Sequence, residues 1–385
     1  MRTHPSYLTR IGSNTRFAFF SLLLVCFIIC SCSPYAFSLG IEAINQTQVS
    51  EENATNDTLK PFSIILDMVA GLVLFLYGVS RLSDALKKLA GEKMKQLLAK
   101  FTTNRFAAVL TGTAATTLLD SSSVTIIMVI ALVNSSLLTS SQSLGVIMGS
   151  NIGTTISSQI IALQINEYSP IALLIGFGMY FIAKAKKIKR IGLLIFAMGL
   201  IFFGMDIMSK AVEPLQNHEP FIELMTRMEN PLLGALMGAA FTVLIQSSSA
   251  TLGIIIILAT ENLISLPAGI ALMLGAEIGT CSDTLLATIG RSREAIRAGV
   301  FHLLFNIATV SIGVIFASQL AFLVTSISAG APIGRQIANA HVLFNVAGVA
   351  LFIGFTPLIA RALAWLIPEK KSQAKATQNI QAGMV

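Results

Sequence analysis

The sequence predicts an all-α polytopic membrane protein built from two inverted-topology repeats, with about eight full spans. Three observations carry that prediction. First, 54% of the 385 residues are hydrophobic and only 12% are charged, against about 25% charged in an ordinary soluble domain. Second, apolar stretches of about 18 residues or more follow one another, as spanning helices require, and the short alternating segments of a β-barrel are missing. Third, one polar pattern occurs twice. Asp120-Ser121-Ser122-Ser123 returns as Gln246-Ser247-Ser248-Ser249, and Gly149-Ser150-Asn151-Ile152-Gly153-Thr154 returns as Gly275-Ala276-Glu277-Ile278-Gly279-Thr280. Both second copies stand 126 positions after the first, 246 against 120 and 275 against 149.

The elements follow in chain order. Arg2, Arg10 and Arg16 precede the apolar run 17–30, and Ala36-Phe37-Ser38 resembles a leader-peptidase site, so 1–38 is expected to be a signal peptide or a signal anchor. Cys26, Cys30 and Cys32 lie in or beside that run and Cys281 lies far away, so the four cysteines make no disulfide framework. Residues 39–61 are polar and acidic and are expected to form an extracytoplasmic linker. The first core helix is expected at about 62–82, followed by an amphipathic basic segment, 87–105, on the cytoplasmic surface.

Orientation comes from charge. The net charge of +7 gathers between apolar spans, at Lys87–Arg105, Lys184–Arg190, Arg291–Arg297 and Lys370–Lys375. That is the positive-inside pattern, not a nucleic-acid surface; a lipid- or phosphate-binding surface is the competing reading. Repeat 1, about 106–166, then starts inside, and a span near 170–183 must end inside at Lys184. A span at 191–208 leads out to the acidic loop 209–230, with Glu213, Glu219, Glu223 and Glu229. Repeat 2, about 232–292, starts outside and ends at the arginines, so the two repeats run in opposite directions. Spans near 299–321 and 340–367 complete the second half, 231–367, and 368–385 is expected to be a cytoplasmic tail. The first half is 62–208. An odd number of crossings in each repeat suits a re-entrant hairpin turning at the serines, then a span broken at Gly-x-x-Ile-Gly-Thr.

Three serines in a row are poor helix formers, because their hydroxyls compete for backbone groups. At a hairpin tip they offer donors and acceptors beside helix ends that favour an anion, while exposed oxygens favour a hard cation such as Na⁺. Two such tips near the midplane would form the binding site of a transporter for an anion and its coupling cations. Packing of small residues with serine–backbone bonds is the bland alternative. Asp120, Glu277 and Asp283 sit in apolar context, where a carboxylate costs on the order of 2.5–3.5 kcal/mol and normally faces a cavity. They repel an anion, so they are expected to hold Na⁺ or exchange a proton. His302 and Asn306 are matched by His341 and Asn345, each pair four residues apart on one helix face. They suit hydrogen bonding across helices more than metal or proton relay. No nucleophile–base pair or metal-ligand spacing points to an enzyme, and no cofactor is expected.

At these residues the chain resembles the sodium–phosphate cotransporters, the type II Na⁺/Pi family and its bacterial relatives. The likeness covers about 62–367: Gln246-Ser247-Ser248-Ser249 matches the family's second hairpin tip fully, and Gly149–Thr154 nearly matches the first Gly-Ala-Asn-Ile-Gly-Thr break. The resemblance implies phosphate uptake coupled to Na⁺ by alternating access, while the short loops and signal-like leader suit a bacterial inner membrane and the basic clusters put the C-terminus in the cytoplasm. It implies phosphate contacts from Ser121, Ser122, Ser123, Gln246, Ser247, Ser248 and Ser249. Cation contacts are expected from Asp120, Asn151, Thr154, Thr155, Glu277, Thr280 and Asp283. Besides Ser150 in place of an alanine, Asp120 stands for a glutamine and Glu277 for an asparagine. The changes at 120 and 277 turn an amide into a carboxylate, which leaves the anion and the coupling ion, Na⁺ or H⁺, open. A carrier of another small anion and a non-transporting scaffold or sensor are the rival readings.

Overall fold

A computed structural model describes residues 61–90, Leu98, Thr102 and 104–368. All of them belong to the unit that begins at Pro61. The expected leader, most of the linker and the basic segment, and the lysine-rich tail lie outside these residues.

Every regular element described is helical. Helix α1 is Pro61–Ala90, longer than expected. Repeat 1 contains α2 (Arg105–Leu119), α3 (Ser122–Asn134) and α4 (Ser140–Ile161). Helices α5 (Ser169–Ile182) and α6 (Lys186–Val212) follow, and the expected loop 209–230 contains a 3-10 turn and the short helix α7 (Glu219–Arg227). Repeat 2 contains α8 (Pro231–Ile245), α9 (Ser248–Thr260), α10 (Leu266–Gly279) and α11 (Cys281–Leu286). Helices α12 (Arg293–Ile315), α13 (Ala317–Ile327), α14 (Ile333–Phe352) and α15 (Thr356–Leu366) close the fold.

Among the described residues, five helices are long and apolar enough to cross a membrane, or up to seven if each of two bent pairs is one span. That is close to the eight or so expected. The bent pairs are Ser140–Ile161 with Asn166–Ile182, at 74°, and Glu219–Arg227 with Pro231–Ile245, at 104°. Helices α3, α9 and α13 are apolar but shorter than a span. The outward faces are apolar too: Leu110, Leu236, Leu244, Ile182 and Trp365 are all exposed. So wide an apolar surface suits lipid and not water.

The repeat is visible atom by atom. Asn104 and Asn230 cap α2 and α8 with their side-chain oxygens. Both helices end on a residue in the left-handed region, Asp120 at φ 50° and Gln246 at φ 57°. Ser121 and Ser247 then stand extended and cap α3 and α9 by accepting from the amides of Val124 and Ala250, each at 3.2 Å. Across each turn a buried threonine pair is bonded, Thr116 to Thr125 at 3.0 Å and Thr242 to Thr251 at 2.9 Å. The next turn repeats as well, with Ser136 and Asn262 at positive φ.

The helix break expected at the Gly-x-x-Ile-Gly-Thr segments is absent from repeat 1 and slight in repeat 2. The Gly-x-x-Ile-Gly-Thr segment does not break α4, which runs unbroken from Ser140 to Ile161. In repeat 2 the interruption is a single residue, Thr280, whose φ of −65° and ψ of −15° stay near helical values. The glycines serve close packing instead. A Cβ on Gly149 would lie 2.0 Å from the Val109 carbonyl oxygen, and one on Gly275 would lie 1.9 Å from that of Ala235. Only a glycine lets α2 touch α4, and α8 touch α10, at this distance.

The cores between helices are apolar. Ile126, Leu144, Met148 and Phe301 join α3, α4 and α12; Phe75, Phe202, Met205 and Ile256 join α1, α6 and α9; Leu252, Ile270, Leu274 and Ile337 join α9, α10 and α14. The two repeats also exchange partners: α3 packs on α11 of repeat 2, and α9 packs on α4 of repeat 1. Each serine turn therefore starts a helix that leans on the other repeat.

Candidate functional site

The first turn carries a carboxylate on its left-handed residue. Asp120 accepts a short hydrogen bond from Ser157, on the face of α4. Position 283 is the counterpart of 157 at the same offset of 126, and Gln246 is the counterpart of Asp120. The acid has thus changed sides between repeats. In repeat 1 it sits on the turn and a hydroxyl sits on the long helix; in repeat 2 an amide sits on the turn and the acid, Asp283, sits on α11. Asp283 faces Ser123 of the first turn. Among the described residues its Oδ1 is buried with no hydrogen-bond partner, an arrangement that invites a cation, since a buried unpaired carboxylate oxygen is costly.

Ser122 and Ser248 are buried, Ser123 and Ser249 are half-buried, and Gln246 is exposed. The hydroxyls of Ser121 and Ser247 are used as helix caps, so these two residues build the turns. Thr154 and Thr155 are buried and donate to carbonyls of their own helix, those of Ser150 and Ile152, at 3.0 and 2.7 Å. Thr280 is half-buried at the interruption between α10 and α11. The structure joins Asp120 to α4 and Ser123 to Asp283, but it places Asn151 and Glu277 in a separate, deeper layer.

That layer is built by the two His-x-x-x-Asn motifs. The Asn151 amide donates to Asn306 Oδ1 at 2.8 Å. Glu277 Oε1 meets His341 Nε2 at 2.6 Å and accepts from the Asn345 amide at 3.3 Å. The other imidazole nitrogens reach two residues that are again 126 apart: His341 Nδ1 meets Ser158 at 2.9 Å, and His302 Nδ1 meets Thr284 at 2.8 Å. Each hydroxyl already donates its hydrogen to a helix carbonyl, Ser158 to Thr155 and Thr284 to Cys281. Each therefore accepts from the imidazole, which assigns the Nδ1–H to both histidines. His341 Nε2 and Glu277 Oε1 share a hydrogen bond between two buried side chains.

The bonding of histidines across helices expected from the sequence is thus what the geometry displays. No cluster of three or more His, Cys, Asp or Glu side chains suited to a metal occurs among the described residues. Sequence reasoning missed Ser157, Ser158 and Thr284. The signal was present, because the offset of 126 pairs Ser157 with Asp283 and Ser158 with Thr284.

A sequence profile described as Na⁺/Pi-cotransporter matches residues 74–210 and 216–384. The chain belongs to the Na⁺/Pi-cotransporter family. It is a multi-pass membrane protein of a transporter family. YqeW of Bacillus subtilis (strain 168), itself uncharacterized, is 28% identical over 308 residues, covering 80% of this chain and 99% of that protein. YjbB of Escherichia coli (strain K12), provisionally named an inorganic phosphate export protein, is 23% identical over 315 residues, 81% of this chain and 58% of YjbB. The chain thus spans little more than half the length of that relative. The human sodium-dependent phosphate transport protein 2B is 32% identical over 129 residues, 31% of this chain and 19% of that protein. No solved structure matches the chain.

Proposed function

We propose that this protein is a secondary active transporter that moves inorganic phosphate with Na⁺ across a bacterial inner membrane. The observation that carries the reading is the duplicated serine turn with one carboxylate in each half, Asp120 on the first turn and Asp283 on α11. Ser122, Ser123, Gln246, Ser248 and Ser249 supply hydroxyl, amide and helix-end donors for phosphate. Asp120 and Asp283 supply the charge that holds Na⁺, assisted by oxygens of Ser157, Thr154, Thr155 and Thr280. Na⁺ screens these carboxylates from the anion, so the two substrates bind together or not at all. Alternating access follows from movement of one repeat bundle against the other.

We propose import as the working direction. Inward Na⁺ flow down a negative-inside potential contributes about 2.3 kcal/mol per net charge per 100 mV, and a shared site moves phosphate the same way. The name of YjbB favours a second reading, outward movement of phosphate through the same site. Proteoliposomes with opposed gradients separate the two. Radiolabelled phosphate should enter when Na⁺ is high outside and stop when choline replaces Na⁺. Uptake indifferent to that replacement would remove Na⁺ coupling from the reading, and net efflux against an inward Na⁺ gradient would reverse the direction.

A further inference from the structure

We propose that His302 and His341 are positioning residues that set the rotation of the ligand-bearing helices, and that His341 couples the two repeats. The proposal rests on the Na⁺-coupled reading above. Its geometry is a matter of neighbouring residues. Ser157 bonds Asp120 of the first turn, and the next residue, Ser158, meets His341 Nδ1 at 2.9 Å. Asp283 faces Ser123 of the same turn, and the next residue, Thr284, meets His302 Nδ1 at 2.8 Å. Adjacent helix positions are about 100° apart, so holding the face at 158 or 284 fixes where 157 or 283 points.

The four bonded groups are buried to completion: His302, His341, Ser158 and Thr284 each have 0% exposure. Water cannot compete for these bonds, and neither imidazole touches a serine turn in the bonds described. The two histidines are not equivalent. His302 is held at Thr284 and lies 3.9 Å from Cys281 Sγ, both on the repeat 2 side. His341 lies between repeats, with Nδ1 on Ser158 of repeat 1 and Nε2 on Glu277 of repeat 2, six positions before Asp283. A shift of α4 when Asp120 takes a cation is therefore felt at α10, and through α10 at Asp283. Glu277, an acid where the family resemblance has an asparagine, serves as the anchor for this bridge.

The test is the Na⁺ dependence of phosphate uptake in proteoliposomes, measured with the amount of inserted protein. An asparagine amide nitrogen stands near where Nδ1 stands, and a glutamine nitrogen near Nε2. His302→Asn should keep the wild-type Na⁺ curve, whereas His302→Ala should raise half-saturating Na⁺. For His341 neither amide spans both partners. His341→Gln, which keeps only the Glu277 contact, should raise half-saturating Na⁺ on the order of tenfold, the size of a typical coupling between sites. Its Hill coefficient should fall toward one, with the phosphate KM at saturating Na⁺ unchanged. Ser158→Ala removes the hydroxyl and leaves the imidazole, so it should reproduce the His341→Gln curve even if histidine variants insert poorly. Loss of maximal rate in proportion to inserted protein, with the Na⁺ curve intact, would reduce both histidines to packing and overturn the proposal alone. A wild type indifferent to Na⁺ would overturn the proposal and the cotransport reading together.

Discussion

The six serines at the two turns divide into kinds by what their hydroxyls already do. Ser121 and Ser247 accept from Val124 and Ala250 amides and so terminate unmet backbone donors of α3 and α9. Loss of such a cap costs about 1 kcal/mol. Ser121→Ala and Ser247→Ala should therefore lower the resistance of the purified protein to denaturant by about that amount, and Ser121→Asp, another capping residue, should restore it. Ser123 and Ser249 make no cap. Ser249→Ala should leave denaturation within about 0.5 kcal/mol, as for a substitution away from caps and core, while raising the phosphate KM. Equal stability losses at 247 and 249 would contradict this division. The left-handed backbone at Asp120 and Gln246 belongs to the same scale. A non-glycine residue there costs energy, typically of order 1–3 kcal/mol, and such strain clusters at ligand sites.

Among elements, α2 with α4 and α8 with α10 form the same tightly packed pair in each repeat. The glycines sit where one helix meets the carbonyl oxygens of the other, at Val109 and Ala235. A methyl group at Gly149 would force α4 away from α2, carrying Ser157 away from Asp120. Overpacking of this kind costs typically 1–3 kcal/mol. Gly149→Ala and Gly275→Ala are expected to lower the yield of inserted protein and its thermal stability, while Gly178→Ala, where a Cβ meets nothing within 4 Å, should change neither. A tolerant Gly149 would mean that the close approach is dispensable. The sequence motif pointed to these glycines but not to their role. A helix break and a close helix contact both require small residues, and only the neighbouring carbonyl distinguishes them.

For the whole molecule, the basic clusters predict that the repeats are inverted, which accessibility can test. In a chain whose native cysteines are replaced by serine, Lys187→Cys should react with a membrane-impermeant thiol reagent only from the cytoplasmic side. Glu219→Cys, on α7, should react only from outside. Labelling of both from one face would overturn the inversion. The partner exchange, α3 on α11 and α9 on α4, accords with two halves that share one site. It also explains why Ser123 of repeat 1 faces Asp283 of repeat 2.

The helical membrane class, the duplication, the serine turns and the family were legible in the chain alone. Each depends on local composition or on a spacing of 126 positions, and hydrocarbon permits few alternatives for such a chain. The pairing of side chains was not legible. Asp120 with Ser157, Ser123 with Asp283, and His341 with both Ser158 and Glu277 are separated by 37 to 183 positions or join different repeats. Such contacts depend on helix rotation and on how closely two backbones approach. Those are set by packing across the whole bundle, so the tertiary structure alone decided which carboxylate faces a serine turn and which is held by a histidine.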